Sequence, residues 1–440
     1  MKNKFLSLIL LLCLVVGTLT GCGGKDKLDF IDYAAQVTLD MESATIKQEV
    51  TVKNFIDGDT THFNVPTSIE PLGVLKARYI ACNTPESTGK IEEWGKKASN
   101  FTKDHLKSAT SIIIEADGSN WEKDSTGERY LVWVWYKSPE TNGVYRNLNI
   151  EILQNGLAVG SKASDNRYGA ICTEAINRAA LLELNVHSPN PDPDFYYGAA
   201  QEITLKELRL NAENYEGVRV AFEGTVTQYY NNGVYVEDFD EETQRYYGMY
   251  LYYGFTLSTY GKQLLVAGSR MRIVGKVNPP TEAFPNYQVS DLEYDPWEPD
   301  DPNNIKQLGK NETVAYTQTS VSNFFGDVNL QVETEDGVTN KTYAYGALAM
   351  DTSLSMTGLY VKSAYTTNNG GDSDGAITFY CEVNGQKITV RTSQKLLKAD
   401  GSALVQEEVV GKTIDVKGIV DYYNGTYQLK VFQYTDIIIH

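Results

Sequence analysis

Cysteine is scarce in this chain of 440 residues, with five in all and no C-x-x-C pair among them. Thiols so few and so dispersed exclude a zinc ribbon and a disulfide-stapled scaffold. Histidine is scarcer, and His62, His105, His187 and His440 lie too far apart for metal-ligand spacing, so they read as surface or half-buried side chains. No G-x-x-x-x-G-K-S/T loop is present, which argues against nucleoside-triphosphate chemistry. Positive charge is also short: 39 Lys and Arg against 57 Asp and Glu leave a formal charge of −18, most of it beyond residue 200.

What is present begins with Ile56-Asp57-Gly58-Asp59-Thr60, followed by Arg78 and then Asn83-Thr84-Pro85-Glu86. Two close carboxylates and a second oxygen-rich turn supply the ligands of a hard divalent cation, calcium or a similar ion. Arg78 offers a guanidinium fork to a phosphate, and Glu86 is placed to activate water. Together they are the ingredients of metal-assisted phosphodiester cleavage. Each piece has a plainer reading. Asp-Gly-Asp commonly marks a turn in which Gly supplies positive φ, and Thr-Pro-Glu commonly starts a helix.

The N-terminus carries Lys2 and Lys4, an apolar run from Phe5 to Val16, and Leu19-Thr20-Gly21-Cys22. Charge, a short apolar core and small residues make an export signal, the run being too short for an ordinary membrane span. Its ending resembles a bacterial lipobox. That resemblance implies cleavage before Cys22, acylation of its sulfur, and a lipid anchor on the extracellular face of the cell membrane. Cys13 would leave with the signal. Cys82, Cys172 and Cys381 then remain, expected buried and free, although a Cys82–Cys172 bridge is allowed in an exported protein.

Two Pro- and Asp-rich stretches, 188–194 and 295–302, read as stiff boundaries. They set the expected organisation: a signal peptide over 1–21, a linker over 22–31, a domain over 32–188, a linker over 189–199, a second domain over 200–295, a linker over 296–311 and a third domain over 312–440. In the first domain, strand-like runs (50–52, 77–81, 111–115, 130–136) alternate with helical spacing over 92–106, where Trp94, Ala98, Phe101 and His105 share a face. Further helices are expected over 148–155 and 172–184.

The ordered pieces Ile56-Asp57-Gly58-Asp59-Thr60, Arg78, Asn83-Thr84-Pro85-Glu86, Trp94-Gly95 with Ala98 and Phe101-Thr102-Lys103, Arg129 to Val134, Gln154 to Ala158 and Glu183 to Val186 resemble the thermonuclease (staphylococcal nuclease-like) family. The resemblance covers roughly a third of the chain, from about Asp32 to Ser188. It implies a mainly β fold with α, an OB barrel carrying three helices, and calcium-dependent hydrolysis of DNA and RNA. Carried over position by position, it makes Asp59 a calcium ligand, Thr84 a ligand through its main-chain carbonyl, and Asp57 a support of the metal through water. Glu86 becomes the general base, and Arg78 and Arg129 the phosphate clamps. Asn83 stands where the family usually has aspartate, which implies coordination through its amide oxygen and weaker calcium binding. Arg129 follows a turn one residue longer than usual, and the residues after Gly156-Leu157-Ala158, around Lys162 to Ser164, depart from the family's nucleotide-contacting tyrosines.

Beyond Ala200 the chain is acidic, rich in tyrosine and patterned in short alternating strands. Two stretches share a grammar in which a Gly-bounded strand leads to one ending in Tyr-Gln, at Tyr287-Gln288 and Tyr427-Gln428. It resembles OB-like modules appended to bacterial secreted nucleases, and two such barrels in tandem are expected. OB barrels bind single strands with aromatics in a basic groove, and no such groove is evident here. The modules are thus expected to be spacers or to bind a surface protein or glycan, with Glu237 to Glu242 a solvated acidic loop. The whole reads as a monomeric, lipid-anchored nuclease acting on DNA and RNA. Its rivals are a catalytically weak nuclease fold whose modules hold a partner, and an adhesin with an accessory nuclease.

Overall fold

A computed structural model describes residues 29–281, 285–334, 337–371 and 373–440. The signal segment, Cys22 and the adjoining linker up to residue 28 lie outside the described residues. Among those described, no helix is long and apolar enough to cross a membrane.

The chain is mainly β and forms three barrels of five strands each. The first contains β1 (Lys47–Phe55), β2 (Thr60–Asn64), β3 (Val74–Tyr79), β4 (Ser111–Glu115) and β5 (Tyr130–Lys137). The second contains β6 (Arg219–Tyr230), β7 (Gly233–Asp240), β8 (Arg245–Tyr252), β9 (Arg270–Asn278) and β10 (Gln288–Ser290). The third contains β11 (Ser353–Thr366), β12 (Ile377–Val383), β13 (Gln386–Thr392), β14 (Thr413–Tyr423) and β15 (Thr426–Val431).

All three close by the same circuit. The first strand pairs with the second and fourth, and the third strand pairs in parallel with the fifth: β3 with β5, β8 with β10, β13 with β15. That is the OB arrangement implied by the family pattern and by the tandem grammar. Alternation builds each core. In β2 and β3, Thr61 and Phe63 point inward opposite Ala77 and Leu75, while Thr60 and His62 point outward opposite Arg78 and Lys76.

The first barrel carries α1 (Gly95–Lys107), α2 (Leu148–Gln154) and α3 (Gly169–Leu181). The third helix starts earlier than the expected residue 172 and ends sooner than 184, because Glu183 and Asn185 adopt positive φ and turn the chain. Buried Asn149 stitches α2 to the barrel. Its amide donates to the carbonyls of Ile80 and Val132, and its oxygen accepts from the Val134 amide. Trp133 and Trp135 are fully buried, and their indoles donate to Asp117 and Glu115 at 2.8 Å each. Cys82, Cys172 and Cys381 are buried and free, with no Cys82–Cys172 bridge.

Two readings of the acidic, proline-rich second half change. Glu237 to Asp240 is not a solvated loop but the end of β7. There Glu237 is buried, Asp238 pairs with Arg270 at 2.6 Å, and Asp240 pairs with Lys206 at 3.1 Å. Composition alone hides such partners, which lie far off in sequence. Within 296–311, Lys306–Gly309 forms a strand antiparallel to β9.

Candidate active site

The register of the β2–β3 hairpin sets the site. Thr60 faces Arg78, so the guanidinium rises beside Asp59, whose carboxylate is fully buried. Arg78 Nη1 donates to Asp59 Oδ1 at 2.5 Å and Nη2 to Asn83 Oδ1 at 2.5 Å, so the fork spans two of the expected cation ligands. Asp59 also accepts from the Thr84 amide at 2.7 Å and the Thr60 hydroxyl at 3.0 Å. Burial still outweighs these partners and holds its carboxyl above the ordinary range.

Asp57 is buried beside it and accepts from Ser87 Oγ at 2.7 Å and the Gly58 amide at 2.8 Å. Burial first, then the charge of Glu86, push the Asp57 carboxyl up to about 8. With Asp59 beneath, negative charge is crowded here.

Gly58 has an unexpected role. Its φ is not positive. Instead, a Cβ there would come within 2.9 Å of Ala98 and 2.8 Å of Thr84, so glycine lets the acidic turn lie on α1 and the Thr84 segment. Gly95 does the same at the start of α1, where a Cβ would stand 2.0 Å from the Glu86 carbonyl. Thr84 to Glu86 is therefore a loop clamped against the helix start rather than a helix start itself. Lys90 bridges to Ile203, and the Gly89 carbonyl accepts from the Thr204 amide at 2.9 Å, tying the loop after Glu86 to the second barrel's approach.

Arg129 comes from the turn before β5. Its Nε donates to Asp124 Oδ2 at 2.7 Å, which aims the guanidinium and leaves the Nη groups for another acceptor. The long turn noted in the sequence supplies that carboxylate. Asp57, Arg78, Glu86 and Arg129 thus line one cleft of about 400 Å³, with Asp59 beneath them. The far wall is unforeseen: Lys206 and Glu207 of a short helix (Leu205–Leu210), Glu242, and Leu330 to Val332. Lys76 bonds directly to Gln331. Ser87 and Asp124, which orient Asp57 and Arg129, were also missed. Adjacency to Glu86 in one case and a carboxylate five residues before an arginine in the other were the available signals.

His62 sits in the same cleft, buried rather than at the surface, and burial lowers its pKa to about 4. It stays neutral. His105 lies on α1, where its Nδ1 meets the Phe101 carbonyl at 2.7 Å.

A hard divalent cation fits the donor chemistry. Asp59, Asn83, the Thr84 carbonyl and Asp57 are oxygen donors, and the crowding of carboxylates is what a cation relieves. The buried Thr84 hydroxyl has no hydrogen-bond partner among the described residues. No group of three or more His, Cys, Asp and Glu side chains forms a metal cage among the described residues. An amide and a main-chain carbonyl complete the expected set, and Arg78 lies between Asp59 and Asn83.

The family model described as "Staphylococcal nuclease homologue" matches residues 76–180. The thermonuclease of Staphylococcus intermedius is 30% identical over 139 residues, which is 31% of this chain and 73% of that enzyme. With the OB circuit, the barrel helices and the cleft that gathers Asp57, Arg78, Glu86 and Arg129, these matches place the chain in the staphylococcal nuclease (thermonuclease) family.

Proposed function

We propose that this chain is a calcium-dependent nuclease that hydrolyses phosphodiester bonds in DNA and RNA. The observation that carries the reading is the convergence of Arg78 and Arg129 with Glu86 over buried Asp59 in one cleft.

Asp59, Asn83 and the Thr84 carbonyl would hold calcium, with Asp57 supporting it through water. When bound, the ion supplies positive charge beside the phosphate and its attacking oxygen. Glu86 accepts a proton from the attacking water as its oxygen bonds to phosphorus. Arg78 releases Asn83 and turns its fork to the phosphate oxygens, and Arg129, aimed by Asp124, pairs with them from the other side. Their charge stabilises the pentacoordinate phosphorus as the ester oxygen leaves with its bonding electrons. Ser87 and Gly58 hold Asp57 in place, and Gly95 keeps the Glu86 backbone against α1.

The test is hydrolysis of DNA and RNA by the full chain, with calcium or with a chelator, beside Glu86→Gln. The reading requires cleavage that the chelator abolishes and that the variant lowers by about 10²–10⁴-fold. Cleavage in the chelator, or full activity of the variant, overturns it.

The lipobox-like Leu19 to Cys22 supports anchorage of the nuclease outside the cell through acylated Cys22. Metabolic labelling with a palmitate analogue, lost in Cys22→Ala, would establish that anchor.

A further inference from the structure

In each barrel the second and third strands turn one face outward, and the three faces have different fates. In the first, that face holds Arg78 and Lys76 opposite Thr60 and His62 and forms one side of the nuclease cleft. In the second it is covered. Glu237 accepts from the Ser353 amide at 2.7 Å, the Tyr235 ring lies 5.9 Å from Phe432, and Arg209 joins the Gly248 carbonyl to Asp351 of the third barrel.

In the third barrel the face is open, and the strand register arranges it in rows. Tyr365, Thr378 and Arg391 form one row; Ser363, Tyr380 and Thr389 the next; Tyr360, Glu382 and Lys387 the third. Tyr360, Tyr365 and Tyr380 are 47%, 58% and 48% exposed, while Val361, Phe379, Cys381 and Val390 between them are buried in the core. The rings therefore stand clear of the barrel and add nothing to its core. They zigzag between two strands, Tyr365 and Tyr360 on the barrel's first strand and Tyr380 in the row between them on its second, with diagonal neighbours about 7–8 Å apart at their backbone positions.

Cations flank them. Lys387 is exposed at the edge of the third row, and Lys362 belongs to the same face, since its Nζ reaches Glu382 at 2.6 Å. Arg391 is held over the sheet by bonds to Thr378 at 2.6 Å and Thr367 at 3.3 Å. Lys362, Lys387 and Arg391 against Glu382 give a local positive excess on a chain whose formal charge is −18.

We propose that this open face of the third barrel, built on Tyr360, Tyr365, Tyr380, Lys362, Lys387 and Arg391, binds single-stranded nucleic acid. Rings spaced apart on a sheet accept unstacked bases, and cations beside them accept the phosphates. A neutral glycan would use the rings but leave Lys387 and Arg391 without a role. Duplex DNA hides its base faces from such a platform. The site is separate from the cleft and would hold a strand near the nuclease independently of cleavage.

The test needs no hydrolysis. Fluorescence polarisation of the full chain with a labelled oligothymidylate of about 15 nucleotides, in chelator, should show binding whose logarithm falls with log salt at a slope of about −2, as for three phosphate contacts. Tyr380→Ala combined with Lys387→Glu should weaken binding at least about tenfold, and Tyr380→Phe should retain it because stacking survives. Tyr423→Ala, an exposed tyrosine on the fourth strand, should change nothing. Binding equal in the double variant and the parent would assign it to the nuclease cleft and overturn the proposal. So would absence of oligonucleotide binding, or salt-independent binding of a neutral glycan instead. Loss of hydrolysis with binding intact would count against the nuclease reading alone.

Discussion

In the first barrel, the outward face of the second and third strands holds Arg78 beside buried Asp59, while Glu86 and Arg129 arrive from loops at its rim. In the third barrel, the same two strands present Tyr380, Thr389 and Arg391, with Glu382 at the edge. The circuits are alike, so the difference lies in what the connections bring. Between its third and fourth strands the first barrel inserts α1, of 13 residues, onto which the Glu86 loop is clamped; the second inserts six helical residues (Thr259–Leu264), and the third a single 3-10 turn (Gln406–Glu408). A carboxylate base needs a rigid loop aimed over the face. A stacking platform needs only the strands, which explains how one architecture can support both kinds of surface.

Removing the guanidinium of the first barrel should give the largest effect. Arg78→Ala should lower hydrolysis about 10³-fold, measured as initial rate at saturating calcium, and Arg78→Lys should recover little because a lysine cannot fork. An equally active Arg78→Lys would mean that the first barrel also works by simple charge, and the contrast would shrink.

The cover on the second barrel is the next point of attack. Asp351→Ala leaves the half-buried Arg209 without its carboxylate partner, 2.6 Å away in the parent, and should cost about 3 kcal/mol in denaturant unfolding. Asp351 is more deeply buried than Glu382 on the open face of the third barrel, and Lys362→Ala there should leave the unfolding midpoint unchanged.

Acidity probes the same junction. Burial raises the Glu237 carboxyl to about 7 from an ordinary 4.5. A raised pKa of this kind contributes stability that is complete below the unfolded value and is lost as pH climbs through the folded one. Thermal stability should therefore fall between about pH 5 and pH 8, by roughly 2–3 kcal/mol from this group. Glu237→Gln should flatten that slope while keeping an acceptor for the Ser353 amide.

The smallest effect expected is at Asn83. Its amide oxygen already accepts from Arg78, and a carboxylate in its place adds charge to the cation shell. Asn83→Asp should lower the calcium concentration for half-maximal hydrolysis by about two- to tenfold. An unchanged value would remove Asn83 from the shell.

Asp57, Asp59, Arg78, Asn83 and Glu86 were legible as one short stretch of chain, whereas Arg129 was reached only through the family resemblance. A hairpin register places Arg78 opposite Thr60, and the segment that follows it brings Asn83 and Glu86. The triple barrel was legible too, since alternating strands and recurring Tyr-Gln endings report the circuit locally. The far wall of the cleft was not. Lys206, Glu242 and Gln331 reach it across more than a hundred residues of chain, and no periodicity encodes which surfaces of separate barrels will meet. The acidic run at 237–242 was misread for the same reason, since Arg270 and Lys206 neutralise its members only in three dimensions. Gly58 and Gly95 were visible as letters, but their purpose, room for a neighbour's backbone and side chains, appears only once α1 is in place.

The pairing of Lys90 with Ile203 bears on the order of synthesis. A chain made from its N-terminus completes every residue of the nuclease cleft's inner side, Glu86 included, before the segment that pairs with Gly89 and Lys90 exists. The strand at Gln201–Glu202 and the helix after it come later, and the hairpin with Gln331 later still. The tie at Lys90 and the far wall are thus the last parts of the cleft to be made, so a chain interrupted before the second barrel has the cleft's inner side, with α1 against the Glu86 loop, and no far wall.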